Sequence, residues 1–270
     1  MQLDERHWDL FYRDLRAQTG LDLALYKQEQ TRRRLVSLAK SMGCETLLDF
    51  GRELARDPEG VSKLLDHLAI NVTSMFRNPE KWRVLEQEVL PELLQRAPSL
   101  SVWSAGCSHG SEPYSLAALL QATRPGLHRI LATDVDPGAL RCAREGLFSP
   151  AALEALPRPE LRAMFEPADG VFRANAVLRR TVAVVEHNLL SEPPRTGFDL
   201  ILCRNVTIYF NEEAKAMLYR RFYSALREGG YLLIGNTERI FDSREIGFEA
   251  PYTCFYRKPG GGAGLWRNAS

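Results

Sequence analysis

The stretch SVWSAGCSHGSEPYS at 101–115 constrains this chain more than any other. It reads as a short apolar strand, a glycine-punctuated turn and the start of a helix. Further on, ILATDVD reads as a second apolar strand that ends in Asp134. A strand, a glycine turn, a helix and a strand closing on a carboxylate is how an α/β sheet builds a nucleoside pocket. The backbone approaches the ligand at the turn, and the carboxylate can bind both hydroxyls of a ribose.

The turn fits neither dinucleotide nor phosphate patterns. Gly106 and Gly110 miss the spacing G-x-G-x-x-G, and Ser111 stands where G-x-x-x-x-G-K-[ST] needs lysine. Glu112 lies in the first helical turn, followed by Pro113. A carboxylate there repels phosphate and suits a ligand with a hydroxyl or a positive charge. S-adenosylmethionine has both, a ribose and a sulfonium beside an α-ammonium group. The same Glu-Pro pair is also an ordinary helix start.

Composition narrows the class. The 270 residues are 45% hydrophobic and 26% charged, which fits a soluble chain of one large or two smaller domains. A net charge of +1 supplies no global field for nucleic acid or anionic lipid. No apolar run approaches the ~20 residues that span a bilayer. The N-terminus MQLDERHWDL lacks a signal-peptide core. Five scattered cysteines without a C-x-x-C pair point to a reducing cytoplasm, not to zinc or a disulfide framework. The five histidines show no metal-ligand spacing, so no metal site is expected.

Before Ser101 the pattern is helical. Trp8, Phe11 and Leu15 recur at helix spacing until Gly20, and Leu35, Leu38 and Met42 do so over 25–42 until Gly43. Shorter helices are expected around 46–55 and 59–69. From Ser101 strands and helices alternate. Strands are expected at 101–104, 129–133, 181–185, 199–203, 231–235 and 253–257. Helices are expected at 80–96, 112–122, 137–145 and 211–227, with Asp136-Pro137 starting the third and Gly229-Gly230 ending the last. Alternation predicts an α/β fold with a mainly parallel sheet, whose ligands bind beyond the strand carboxyl ends. Asp134, Asn188 and Asn205 all follow strands there. The expected division is a helical domain at 1–70, an α/β domain at 71–258 and a flexible tail at 259–270. An insertion at about 147–181 interrupts the alternation, and its GVFRANAVLRR could form a small hairpin.

Three segments could carry chemistry. NVTSMFRN holds Asn71, Thr73 and Arg77 between apolar anchors, and an arginine there can fork onto a carboxylate. Caps and a surface arginine explain the same residues. In CRNVTIYF a polar pair, Arg204-Asn205, interrupts a buried run, so it must be hydrogen-bonded or line a site, with Tyr209 near the same edge. NTER at 236–239 reads equally as a loop over the site or a turn. His109 in the glycine turn is a candidate base. The helix with Arg32, Arg33, Arg34 and Lys40 is a solvated face or a docking surface for an acidic partner.

NVTSMFRN, WSAGCSHGSEPYSLA, ATDVD, NLL, FDLILCRNVTIYF and a closing T-x-F-Y-R-K together resemble the chemotaxis receptor glutamate methyltransferases, the CheR family. They appear in the family's order from about residue 25 to 258. The resemblance implies a Rossmann-like methyltransferase sheet, an N-terminal all-helical domain and a small antiparallel β insertion. It implies transfer of methyl from S-adenosylmethionine to glutamate side chains of chemoreceptor cytoplasmic helices, leaving S-adenosylhomocysteine. By motif, Asn71, Thr73, Arg77, Glu112, Asp134, Asn188, Leu189, Arg204 and Asn205 are the implied cofactor contacts. Arg77 and Tyr209 are the implied catalytic residues. The basic helix, through Arg33, Arg34 and Lys40, resembles the family's receptor-docking helix, with no nucleic acid and no membrane insertion implied. His109, Ser111, Met75, Thr207 and Asn236-Thr237 depart from the family pattern. The alternatives are a non-catalytic S-adenosylmethionine-binding signalling module and a methyltransferase of another target.

Overall fold

Four helices open the chain: α1 (Glu5–Thr19), α2 (Gln28–Ser41), α3 (Leu47–Arg56) and α4 (Gly60–Leu68). The computed structural model describes residues 5–57, 59–68 and 73–260. Trp8, Phe11, Leu15, Leu35, Phe50 and Leu64 bury together in a core of their own. Phe11 stacks on Phe50 with ring centroids 5.6 Å apart. One boundary differs from expectation. Residues 23–25 form a 3-10 turn capped by Asp22, Tyr26 is extended, and α2 starts only at Gln28. The Asp22 side chain accepts the Ala24 N–H at 3.2 Å and caps that turn, and the extended Tyr26 separates it from α2. The extended Tyr26 makes an antiparallel bridge to Phe210 in the second half of the chain.

The expected helix at 80–96 is present in three parts. These are α5 (Pro79–Val84), a π-turn (Leu85–Val89) and α6 (Leu90–Arg96). Pro91 has no N–H to donate back into the helix, and the wider turn precedes it.

The sheet follows. Its first strands are β1 (Ser101–Ala105) and β2 (Arg129–Asp134), separated by α7 (Ser111–Thr123) and followed by α8 (Pro137–Glu145). The insertion holds β3 (Leu147–Phe148), α9 (Pro150–Glu154), α10 (Pro159–Arg162), β4 (Phe165–Ala168), β5 (Val171–Ala174) and α11 (Ala176–Thr181). Then come β6 (Val182–Glu186), β7 (Phe198–Cys203), α12 (Glu212–Ala225), β8 (Leu226–Ile234), α13 (Ser243–Ile246), β9 (Glu249–Tyr252) and β10 (Phe255–Arg257). Seven strands lie in the order β6-β2-β1-β7-β8-β10-β9. The first five are parallel to their neighbours, and β10 and β9 run antiparallel. All six residues of β7 are buried, as a central strand covered on both faces requires. Strand order reverses between β1 and β7, which opens the crevice where such sheets bind ligands. The α/β expectation, with its helical part and small antiparallel insertion, therefore holds.

Two local expectations do not. In GVFRANAVLRR only the first half is strand; β5 pairs with β4 across Asp169-Gly170, while Asn175 caps α11 by accepting the Leu178 N–H at 3.0 Å. Gly229-Gly230 does not end a helix. α12 stops at Ala225, and the glycines sit inside β8, where Gly229 at φ 72° accompanies a shift in register against β7.

Candidate active site

The crevice beyond β1, β2, β6 and β7 is a cavity of about 250 Å³. Thr73, Arg77, Glu112, Asp134, Asn188, Leu189, Arg204, Asn205 and Tyr209 all line it. Residues separated by more than a hundred positions in sequence thus converge on one space. Asn71 lies outside the described residues. His109 is not in the lining; its Nδ1 sits 3.0 Å from the Ser108 hydroxyl.

The β2 side is built locally. Asp134 ends β2, and its Oδ1 accepts the Val135 and Asp136 N–H groups at 2.8 and 3.1 Å. Its Oδ2 accepts the Ser108 N–H at 2.8 Å. Burial raises its pKa, and those three backbone bonds oppose the rise. Gly106 must be glycine: its φ is 80°, and a Cβ would stand 2.3 Å from Val206 Cγ2. The Leu189 and Leu190 side chains supply an apolar wall. Their loop is held by Arg221, which donates to both carbonyls at 2.8 and 3.0 Å. The Asn188 side chain shapes the same loop, accepting the Leu190 N–H at 3.0 Å.

The β7 side is built from distant residues. Arg204 is 7% exposed. It donates to Glu112 Oε2 at 3.3 Å, to the Arg77 carbonyl at 2.6 Å and to Asn78 Oδ1 at 3.0 Å. Its guanidinium lies 5.8 Å from the Trp82 ring centroid, and the Trp82 indole N–H also donates to the Arg77 carbonyl. Arg204 is thus a strut between α7, β7 and the loop at 73–78. Glu112 Oε1 accepts the Ser104 hydroxyl at 2.8 Å, and burial raises the Glu112 pKa against the pull of Arg204. This adds a partner to the sequence argument about Glu112, which lines the crevice as expected. Its charge is balanced inside the protein, so it does not stand alone as a counter-ion for a cation.

Glu238, in a segment that sequence reasoning left undecided, supports the site from behind. Its carboxylate is 8% exposed. Oε2 accepts the Gly235 and Asn205 N–H groups at 2.6 and 3.0 Å. Oε1 accepts the Thr207 hydroxyl at 2.7 Å and the Val206 and Ile208 N–H groups at 3.1 and 3.3 Å. One carboxylate therefore holds the loop that carries Asn205 and Tyr209. The available signal was a carboxylate just beyond a glycine at a strand end. Asn205 is held at φ 59°, and Phe76, Asn78 and Ser108 are also at positive φ, so non-glycine residues in this unfavourable region gather on the crevice loops.

The helical part touches the same loops. Ser62 donates to Asp136 Oδ1 at 2.9 Å after β2. Asn188 donates to the Gly20 carbonyl at 3.4 Å after β6. Lys27 N–H donates to the Tyr209 carbonyl and Asn211 N–H to the Leu25 carbonyl, both at 2.9 Å, after β7. Tyr26, Leu65 and Leu68 complete the lining from that side.

On α2 the three arginines have separate tasks. Arg32 grips Glu5 with two bonds of 2.6 Å. Arg34, expected on a docking face, turns inward and donates to the Leu68 carbonyl at the end of α4. Arg33 and Lys40 are exposed.

The donor set fits S-adenosylmethionine. Three carboxylates, Glu112, Asp134 and Asp136, line the crevice with the guanidiniums of Arg77 and Arg204, and Glu112 and Arg204 pair with each other. That balance opposes phosphate and admits a positively charged nucleoside. Asp134 has the strand-end position from which a carboxylate can bind a ribose, and the leucine wall offers an apolar face to a base.

Comparison with known proteins agrees. Residues 71–252 match the family described as CheR methyltransferase, SAM binding domain, and residues 6–69 match CheR methyltransferase, all-alpha domain. A chemotaxis protein methyltransferase of Listeria monocytogenes is 37% identical over 256 residues, covering 94% of this chain and 98% of that protein. One of Vibrio parahaemolyticus is 34% identical, covering 88% and 90%. One of Borreliella burgdorferi is 32% identical, covering 88% and 89%.

Proposed function

The chain belongs to the CheR methyltransferase family, and from that premise we propose that it methylates glutamate side chains on the cytoplasmic helices of chemoreceptors. It is an S-adenosylmethionine-dependent methyltransferase of chemotaxis. The observation that carries the reading is the convergence of Arg77, Asp134, Asn205 and Tyr209 on one crevice. No helix among the described residues is long and apolar enough to cross a membrane. The reaction is assigned to the cytoplasm, where the receptor helices lie.

When bound, S-adenosylmethionine supplies a methyl group activated on a sulfonium and leaves as the thioether S-adenosylhomocysteine. Asp134 accepts the ribose hydroxyls, and Leu189 walls the base. Asn71, Thr73 and Asn205 complete the cofactor contacts, while Glu112 and Arg204 act by holding the 73–78 loop in place. The acceptor carboxylate, with an ordinary pKa of about 4.3, is already a nucleophile near neutral pH. No protein base is needed, in keeping with His109 standing outside the lining. Arg77 orients the acceptor oxygen, and Tyr209 positions the methyl end. Catalysis is then mainly positioning.

Residues 1–70 act as the receptor-facing domain and 71–258 as the cofactor-holding domain. Arg33 and Lys40 form the docking face of α2, without Arg34. The test is transfer of labelled methyl to receptor cytoplasmic fragments. Base-labile label on glutamate is expected, falling by roughly 100-fold or more in Arg77→Ala, the scale of a lost positioning contact. Near-normal turnover by folded Arg77→Ala protein would remove Arg77 from this role.

A further inference from the structure

Tyr26 belongs to no sequence motif considered above and sits in the helical half of the chain, yet it lines the crevice. Three features fix its place. Its backbone bridges Phe210, with the Lys27–Tyr209 and Asn211–Leu25 hydrogen bonds of 2.9 Å on either side. The Asn211 amide adds a bond of 3.1 Å to the Ala24 carbonyl. Its ring meets the buried Phe210 ring edge-to-face, with centroids 5.2 Å apart and an interplanar angle of 87°. Tyr26 is half-buried; desolvation first, then the charges of Asp134 and Asp22, raise its pKa, so the O–H stays protonated and able to donate.

We infer that Tyr26 is a further cofactor-binding residue, closing the ribose end of the crevice from the helical domain and so coupling cofactor binding to the seating of that domain. The inference rests on the crevice being the S-adenosylmethionine site. Asp134 is a carboxylate and can only accept hydrogen bonds. The Tyr26 phenol lines the same crevice as Asp134 and can supply the complementary donor, and a ribose has hydroxyls that both donate and accept. The other two seams, Ser62–Asp136 and Gly20–Asn188, also fall on crevice loops. A ligand pressed between the loops and Tyr26 therefore favours the seated arrangement, and by reciprocity the seated domain favours the ligand.

The experiment uses the full chain with S-adenosylhomocysteine as the probe. Calorimetric titration compares wild type with Tyr26→Ala and Tyr26→Phe, after circular dichroism has shown that each is folded. Affinity is expected to fall by about 10- to 100-fold in Tyr26→Ala, the scale of one buried aromatic wall. In Tyr26→Phe it falls by a few-fold, the scale of one hydrogen bond. The Lys27 and Asn211 amides, which donate across the seam, are expected to exchange hydrogen more slowly once wild type is loaded. Both variants binding within about twofold of wild type, a factor too small for either contact, would overturn the inference. If Tyr26→Ala does not fold, unchanged amide exchange in loaded wild type would overturn it. A wild-type chain that binds no S-adenosylhomocysteine would contradict the cofactor site itself. Tight wild-type binding with indifferent variants would contradict only the role of Tyr26.

Discussion

The end of β2 and the loop after β7 face each other across the crevice, but they are held by different means. Asp134 takes two of its three backbone partners from the next two residues, Val135 and Asp136. The 205–208 loop instead hangs on Glu238, thirty or more positions away. Arg204 ties the same side to Glu112 and Asn78, still farther along the chain. On the proposed reading, the β2 side is a local turn that binds, and the β7 side is an assembled platform that aligns. Affinity and alignment should therefore be separable by mutation.

The largest effect is expected at the platform. Glu238→Ala leaves buried N–H groups and the Thr207 hydroxyl without their acceptor, so stability should drop by about 3–5 kcal/mol. Urea unfolding checks this; a loss below about 1 kcal/mol, the scale of one ordinary hydrogen bond, would mean the loop stands without the clamp.

At the local turn, Asp134→Asn exchanges an acceptor pair for an amide while keeping the shape. S-adenosylhomocysteine affinity should fall by about 10- to 100-fold, or roughly 1.4–2.8 kcal/mol. Stability should fall less than in Glu238→Ala, by about 1–3 kcal/mol, because the amide nitrogen cannot accept the backbone N–H that one carboxylate oxygen accepts. Titration calorimetry beside thermal unfolding tells the two apart, and a stability loss as large as that of Glu238→Ala would break the contrast.

Acid should act on the same side. The Asp134 pKa is raised above its ordinary 3.8 by burial. A raised folded-state value means that the folded chain binds the proton more tightly, so this group's contribution to stability falls as pH rises through that window. Ribose binding needs the charged form. As pH drops through the raised value, ligand affinity should fall while this group favours the unliganded fold. Affinity that stays level down to pH 3.8 would place Asp134 outside the ribose site.

The smallest effect belongs to neither side. Charge reversal at Arg33 and Lys40 should raise the receptor KM modestly, by about 0.2–1 kcal/mol per pair, and more at low salt. Methylation rates at two ionic strengths check this, and salt-independent behaviour would remove α2 from docking.

The same contrast explains what could be read from sequence. The glycine turn, Asp134 and the Asp136-Pro137 start of α8 were legible because their signals lie within a few residues of what they shape. The β7 motif was legible as a polar pair in an apolar run, but not its support, since nothing near Arg204 announces Glu112 or Asn78 as partners. Glu112 was read as a lone charge for that reason. Gly229-Gly230 was read as a helix stop because a glycine pair signals a stop and a bulge alike, and only pairing with β7 decides between them. Tyr26 carried no signal at all. Its position depends on a bridge to Phe210 across the whole chain.

The most direct measurement sets Asp134→Asn beside Glu238→Gln, each titrated with S-adenosylhomocysteine and each followed in single-turnover methyl transfer to a receptor fragment. The account predicts that Asp134→Asn loses affinity far more than saturating rate. It predicts that Glu238→Gln loses rate far more than affinity, because the loop carrying Tyr209 is no longer aligned while Asn205 is one cofactor contact among several. Two variants that move affinity and rate together, in the same proportion, would contradict it.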